Sequence, residues 1–247
     1  MTPAEIWQKY DAIESRLTAG VSERMLDLAE LRPGMRVLDV ASGRGEMAVR
    51  AAQRGCSVLG IDISDSLLEL ARIKSSHIEF RAANAETFVG SGFDAAIERW
   101  GLMYMNSPVA ALWSIRRALV PGGKLVAAFW AEPERVSYHT LPRSLLAHPL
   151  PPIDFEAPGV FRFADPARIH RDFALAGLTV EHIEEMDVAV IEGENAQEIV
   201  DWTLAFGMSK LLADTSLEEK SAWEARLVAR LNGVFRLGGV TRIVVAR

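Results

Sequence analysis

A single cysteine, Cys56, stands in this chain of 247 residues. That excludes an intramolecular disulfide framework and leaves almost nothing for a cysteine-built zinc site, so no metal is expected and a reducing cytoplasm suits the chain. No uninterrupted apolar run reaches the roughly 18 residues that a membrane helix requires. The start, "MTPAEIWQKYDAIE", carries acids where an export signal has a basic end and then an apolar stretch. A soluble, unexported protein without a membrane partner is the expectation. Basic charge is not in excess either. The 27 Lys and Arg against 33 Asp and Glu leave a net charge of −6, which speaks against neutralising a phosphate backbone and so against a nucleic-acid partner.

What is present is apolar content, 49% of the chain, enough for a large core in one α/β domain with insertions. Residues 1–247 read as that one domain, with an N-terminal helical cover over 1–32 and a ligand-binding core over 33–131. Two insertions, 132–164 and 192–233, have the composition of a substrate lid. Thr2, Pro3 and Glu5 look like a capping box opening an amphipathic helix that ends at Gly20, with a second short helix after Ser22. Strands are expected at Arg36–Ala41, Ser57–Ile63, Ile78–Ala83, Phe93–Glu98 and Lys124–Trp130, alternating with helices that begin near Gly45, Ser64 and Ser107. Only the stretch after Ile78–Ala83 lacks a clear crossover helix. Apolar strands alternating with helices predict a parallel sheet covered on both faces. Further on, Asp165 and Pro166 start a helix, residues 178–191 alternate like a strand, and two helices follow, the second capped by Ser216 and Glu219. The last strand is "TRIVVAR", with "VFRL" and Gly238-Gly239 before it as a hairpin or a bulged entry.

"VLDVASGRGEMAV", residues 37–49, passes from strand through a glycine turn into a helix. Gly43, Gly45 and Ala48 fit a dinucleotide fingerprint, a weak signal alone, because glycine is the default of any tight turn. Asp62 follows the second strand 17 residues beyond Gly45, where a nucleotide fold places the carboxylate that accepts both ribose hydroxyls. Capping of the next helix is the competing role for Asp62. A pyrophosphate at the turn meets Asp39 and Glu46, and at an effective dielectric of about 20 like charges roughly 5 Å apart cost on the order of 3 kcal/mol. Arg44 offsets part of that cost. A ligand with a cationic centre beside an adenosine turns Asp39 into an asset.

"VLDVASGRGEMAV", "GIDIS", "AANAETF", "FDAAIERWGLMYM" and "LVPGGKLVAAFW" together resemble, in order and spacing, the successive motifs of class I S-adenosylmethionine-dependent methyltransferases. The resemblance spans roughly Pro33 to Trp130. It implies a Rossmann-like, doubly wound, seven-stranded, mostly parallel sheet whose last strand is antiparallel. It also implies transfer of a methyl group from S-adenosylmethionine to a small-molecule acceptor, leaving S-adenosylhomocysteine. Carried onto this chain, the cofactor contacts are Asp39, Ala41, Ser42, Gly43 and Arg44, then Asp62 and Ile63, then Asn84, Ala85 and Glu86, and Arg99 and Trp100. Ala41 and Ser42 stand where the family commonly has a pair such as Gly and Cys, and Arg44 replaces a small residue. Asn84 stands where an Asp often reads the adenine amino group; its amide oxygen still accepts.

Methyl transfer asks chiefly for alignment in a dry pocket, for which proximity and orientation supply about 7–11 kcal/mol. A general base is needed only where the acceptor loses a proton. His139, His148, His170 and Tyr104 are the candidates, with surface or packing roles the plainer account of each histidine. Trp7, Tyr10, Tyr104, Trp202 and Phe206 are candidates for the acceptor site, and their helical spacing or aromatic character fits core packing as well. A monomer or homodimer is expected. Two alternatives stay open: an NAD(P)-binding oxidoreductase, and a protein that binds S-adenosylmethionine without transferring its methyl.

Overall fold

Burial decides where the strands run. The computed structural model describes residues 3–247, except for the side chains of residues 3–9 and 206. In β1 (Arg36–Val40) every residue after Arg36 is buried, and β2 (Ser57–Asp62) is buried over its middle four. Such runs require cover on both faces; α2 (Glu46–Gln53), α3 (Asp65–Lys74) and α4 (Pro108–Ala118) pack on the strands, and α1 (Pro3–Leu28) precedes them in the chain. β3 (Glu79–Ala82), β4 (Phe93–Arg99) and β5 (Leu119–Trp130) complete the first half of the chain, and only a short 3-10 turn, Ala85–Thr87, follows β3. Then come α5 (Ser137–Ser144), α6 (Pro166–Leu175), β6 (Val180–Glu192), α7 (Ala196–Thr203), α8 (Ser209–Leu211), α9 (Leu217–Leu231) and β7 (Arg236–Ala246).

The seven strands lie in the order β3-β2-β1-β4-β5-β7-β6. β1 pairs in parallel with both β2 and β4, β4 with β5, and β7 runs antiparallel to β5. This is the doubly wound sheet that the motifs imply. The strand order reverses between β1 and β4, and that reversal opens a crevice at their carboxyl ends.

Several boundaries differ from the sequence reading for identifiable reasons. Helix α1 does not stop at Gly20 but continues to Leu28, because Val21, Met25 and Leu26 extend its buried stripe. An interior glycine costs about 1 kcal/mol, which that burial outweighs. Thr2, the expected cap, lies outside the described residues. No hairpin precedes "TRIVVAR": β7 takes in Arg236 to Val240 as one continuous strand. Ser64 is the N-cap of α3 without a side-chain cap bond, whereas Ser216 caps α9 as expected, its hydroxyl accepting the Glu219 N–H at 3.1 Å.

The chain divides into two compact units. One comprises Ala19–Ala131, Asp154–Met186 and Thr241–Arg247, and holds β1 to β5. Residues 154–164, expected within an insertion, belong to it: Phe163 packs on Phe129 at 4.4 Å, and Arg162 donates to the Met105 and Asn106 carbonyls. The other unit comprises Met1–Thr18, Glu132–Ile153 and Asp187–Val240. Its core is built on Ile199, Trp202, Trp223 and Leu227. The Trp223 indole N–H donates to the Pro142 carbonyl at 2.9 Å and Arg226 to Leu145 O at 2.8 Å, which ties α9 to α5.

Trp202 is 3% exposed and meets the Tyr10 ring edge-on at 4.6 Å. Trp202→Ala is expected to lower unfolding free energy by about 3–5 kcal/mol, the cost of a large cavity in a packed core. Urea unfolding checks this; an unchanged midpoint places the indole outside the core.

Candidate cofactor site

The turn after β1 is built around a buried acid. Asp39 is 2% exposed, and its Oδ2 accepts the Ser42 hydroxyl at 2.6 Å while the Ala48 N–H also bonds to its carboxyl. Burial pushes the group up to about 7 against those donors. The two glycines do different work. At Gly45, with φ +76°, a Cβ would lie 2.8 Å from the Phe80 ring and 2.9 Å from the Ala71 methyl, so packing of helix on sheet requires glycine there. At Gly43, with φ +53°, a Cβ would meet nothing within 4 Å. Space for a ligand lies over Gly43.

Asp62, half-buried at the end of β2, reaches back to this turn. Its Oδ2 accepts the Gly43 N–H at 2.8 Å and its Oδ1 accepts the Ser64 N–H at 2.8 Å. The same carboxylate therefore shapes the loop into α3 and flanks the open side of the glycine turn. Each oxygen keeps a second lone pair, which suits a vicinal diol. Ile63 beside it is 77% exposed, an apolar surface left for a flat ring. After β3 the Asn84 Oδ1 accepts the Glu86 N–H at 2.9 Å, and Glu86 Oε1 accepts the Asn106 N–H at 2.9 Å, so this loop is braced against the one after β4. Ala85 between them is buried.

Arg99 ends β4 pointing into a charge network. Its guanidinium bonds to Glu46 and, at 2.5 Å, to the Ser22 hydroxyl, while Arg50 Nε reaches Glu46 at 2.8 Å. Glu46 is held low by these two arginines although burial opposes them. It is therefore a neutralised anion and adds little repulsion toward a phosphate at the turn. The electrostatic case against a pyrophosphate then rests on Asp39, which is itself held close to neutrality by burial.

Two residues at the end of β4 carry more than the sequence signalled. Trp100 has φ +62°, as Ala41 across the crevice has φ +54°, conformations that cost a non-glycine residue of order 1–3 kcal/mol and gather at functional sites. Trp100 is held there by stacking on Trp130 at 4.6 Å and by donating its indole N–H to Thr241 at 2.9 Å. Glu98, unassigned from sequence, is fully buried; its Oε1 accepts the N–H groups of Gly101 and, at 2.9 Å, Leu102, and its Oε2 has no hydrogen-bond partner. Burial pushes this carboxyl up to about 8. An acid directly after the apolar run Ala95–Ile97 was the available signal.

One unit thus gathers Asp39, Ala41, Ser42, Gly43, Arg44, Asp62, Ile63, Asn84, Ala85, Glu86, Arg99 and Trp100 on the loops at the carboxyl ends of β1 to β4, with Tyr104, 55% exposed, following β4. Tyr10, His139, His148 and Trp202 belong to the other unit. His139 is half-buried and pushed down to about 3 by burial and by Arg143, so it is neutral at ordinary pH. His148 and His170 are exposed. The side chains of Trp7 and Phe206 lie outside the described residues. Among the described residues no group of His, Cys, Asp or Glu is arranged to hold a metal, and no helix is long and apolar enough to cross a membrane.

Residues 38–127 match the family model described as a methyltransferase domain. The chain is similar to the demethylmenaquinone methyltransferase of Renibacterium salmoninarum, 33% identical over 155 residues, covering 60% of this chain and 65% of that one. It is also similar to the ubiquinone/menaquinone biosynthesis C-methyltransferase UbiE of Shewanella frigidimarina, 34% identical over 142 residues, covering 51% and 56%. The chain therefore spans less than two thirds of the length of either relative. Among solved structures, an S-adenosylmethionine-dependent methyltransferase of Geobacter sulfurreducens in complex with S-adenosyl-L-homocysteine superposes with a TM-score of 0.55 at 18% identity, covering 92% of this chain and 89% of that one. The [4+2]-cyclase SpnF does so with 0.58 at 20% identity, covering 92% and 80%. Residues 38–127 thus resemble a methyltransferase domain, and the chain shares the fold of these solved structures.

Asp39 and Glu98 set a pH dependence of stability. Both hold protons in the fold that the unfolded chain releases in the ordinary carboxylate range, so their stabilisation is complete in acid and is lost as pH rises through about 7 and about 8. Glu184, held down to about 2 chiefly by its hydrogen bond from Arg24, acts oppositely and is lost only in strong acid. Melting temperature is expected to fall between pH 5.5 and 8.5, and to fall less in Glu98→Gln, which cannot ionise. Parallel melting curves for the two proteins mean that Glu98 is ionised throughout.

Proposed function

We propose that the protein transfers a methyl group from S-adenosylmethionine to a small-molecule acceptor. The observation that carries this reading is the Asp62 carboxylate, held by the N–H groups of Gly43 and Ser64 beside a turn with open space over Gly43. Asp62 offers its remaining lone pairs to the ribose hydroxyls, Ile63 its exposed apolar face to the adenine, and Asn84 an amide to the ring's edge. Ser42 and Arg44 face the methionine end from the turn, and the buried Asp39 favours a cation there. The cofactor supplies a methyl group made electrophilic by its sulfonium. What remains for the chain is to hold the donor at the switch point and exclude water, which is where alignment lowers the barrier. Arg99 and the stacked Trp100 and Trp130 fix the loop after β4, and Tyr104 on that loop is a candidate acceptor contact. No general base is assigned.

A small organic acceptor is supported by the names of the relatives, a demethylmenaquinone methyltransferase and a ubiquinone/menaquinone biosynthesis C-methyltransferase. We place Trp7, Tyr10, Trp202 and Phe206 among the residues that influence acceptor choice; Tyr10 and Trp202, both buried, do so through packing and not by contact. The buried lone cysteine is consistent with a reducing cytoplasm, and the chain is read as a monomer or homodimer.

Calorimetric titration with S-adenosylmethionine, S-adenosylhomocysteine and NAD tests the reading. The first two are expected to bind and NAD is not. Asp62→Ala is expected to weaken S-adenosylmethionine by roughly tenfold to a few hundredfold, since a hydrogen bond to a charged group is worth about 1.5–3 kcal/mol. An unchanged affinity rejects the ribose role. Release of S-adenosylhomocysteine in the presence of a panel of phenolic and quinol acceptors then separates transfer from binding alone.

A further inference from the structure

The carboxyl of Glu98 occupies the crevice between β1 and β4 without completing its own hydrogen bonding. In the sheet register Glu98 lies directly beside Val40, one residue past Asp39. A Cβ on Gly101 would come within 3.0 Å of Glu98 Oε1 and would overlap the Ala41 methyl, so the two positive-φ turns close tightly over this group. Oε1 is doubly satisfied by backbone N–H groups, while Oε2 is buried with no partner. In neither protonation state is this carboxyl fully accommodated. As an acid its O–H has no acceptor; as an anion the only cation acting on it is the neighbouring Arg99, already engaged by Glu46.

We propose that Glu98 is a positioning residue for a cationic cofactor: a positive charge bound over the β1 turn completes the electrostatics of its buried carboxyl, which gives up its proton to solvent as the cofactor binds. The inference rests on the proposed S-adenosylmethionine site. Fully buried, Glu98 acts through its field and through the Gly101 and Leu102 N–H groups rather than by touching the ligand. The charged groups around it are Asp39 on β1, which opposes its ionisation, and Arg99 on β4, which favours it. Asp62 on β2 and Arg99 act in turn on Asp39, and Glu46 on α2 offsets Arg99. The balance is simple: one O–H bond breaks at Oε2, the electron pair stays on the carboxylate, and the proton passes to buffer. Burial sets the group near the pH at which such a release is measurable. S-adenosylhomocysteine, lacking the sulfonium charge, drives the release less.

The test is calorimetry of the whole protein with S-adenosylmethionine and S-adenosylhomocysteine between pH 6 and 9, in two buffers of different ionisation enthalpy. Near pH 7 the wild-type protein is expected to release up to about one proton on binding S-adenosylmethionine and clearly less on binding S-adenosylhomocysteine. Its preference for the former is expected to rise several-fold toward pH 9. Glu98→Gln keeps an acceptor for Gly101 and Leu102 and cannot ionise, so the extra release and the pH-dependent preference are expected to fall to the share that Asp39 contributes while S-adenosylhomocysteine affinity stays within about threefold. Comparing the two proteins cancels the titration of the ligands themselves. Equal proton release in both, or equal loss of both ligands in the variant, overturns the proposal. So does a wild-type protein that binds S-adenosylmethionine without releasing a proton, a measurement that does not depend on the variant folding. A wild-type protein that binds neither ligand overturns the proposed function instead.

Discussion

Reversal of strand order between β1 and β4 is the constraint on which the site depends. Parallel strands whose connections leave to opposite sides cannot close over their own carboxyl ends, so a crevice remains between them. Here the crevice is floored by acids. Asp39 and Glu98 sit at the ends of the two strands that define it, both buried and both pushed toward neutrality by desolvation. A ligand with positive charge lowers the energy of such a floor, whereas an anion placed on it gains nothing. Preference between cofactor classes is thus written in the desolvated strand ends as well as in the glycine turn.

The walls of the crevice are held by ion pairs that begin well outside it. Arg99 spans from β4 to Glu46 on α2; Glu46 and Glu23 share Arg50; Glu23 also takes Arg54. The Arg99 and Glu46 side chains are 10% and 15% exposed. Removing one partner of a pair so buried costs about 3–5 kcal/mol, because the other charge is left without compensation. The pairs nearer Glu23 are wetter and are worth little individually. This gradient, from a buried contact at the cofactor turn to exposed ones on the second half of α1, makes the helix a support for the turn.

The sheet was legible because its strands are short apolar runs separated by glycine, serine and proline signals, and the order of the motifs followed from those runs. Interruption by Gly20 was misread, since helix propensity is local while the buried stripe of Val21, Met25 and Leu26 is a tertiary fact. At the site, Asp39 and Asp62 were visible as acids at strand ends. Glu98 was not, because an acid at the edge of a strand normally faces water and nothing in the local pattern says that two turns close over it. The same holds for Glu46: its charge can be read from sequence, but its neutralisation by an arginine 53 positions away cannot.

The matched methyltransferase stretch, residues 38–127, falls wholly within the unit that carries β1 to β5. The other unit draws on three separated segments, all outside that stretch, with a core of its own around Trp202 and Trp223. Methyl transfer by alignment needs few reacting side chains, so relatives sharing a donor site diverge most readily in whatever selects and orients the acceptor. A fold that also hosts a [4+2]-cyclase shows how little the sheet constrains the reaction. In this chain the matched stretch carries the proposed cofactor site, and the segments outside it include a core of their own, so the donor and acceptor demands fall on different residues.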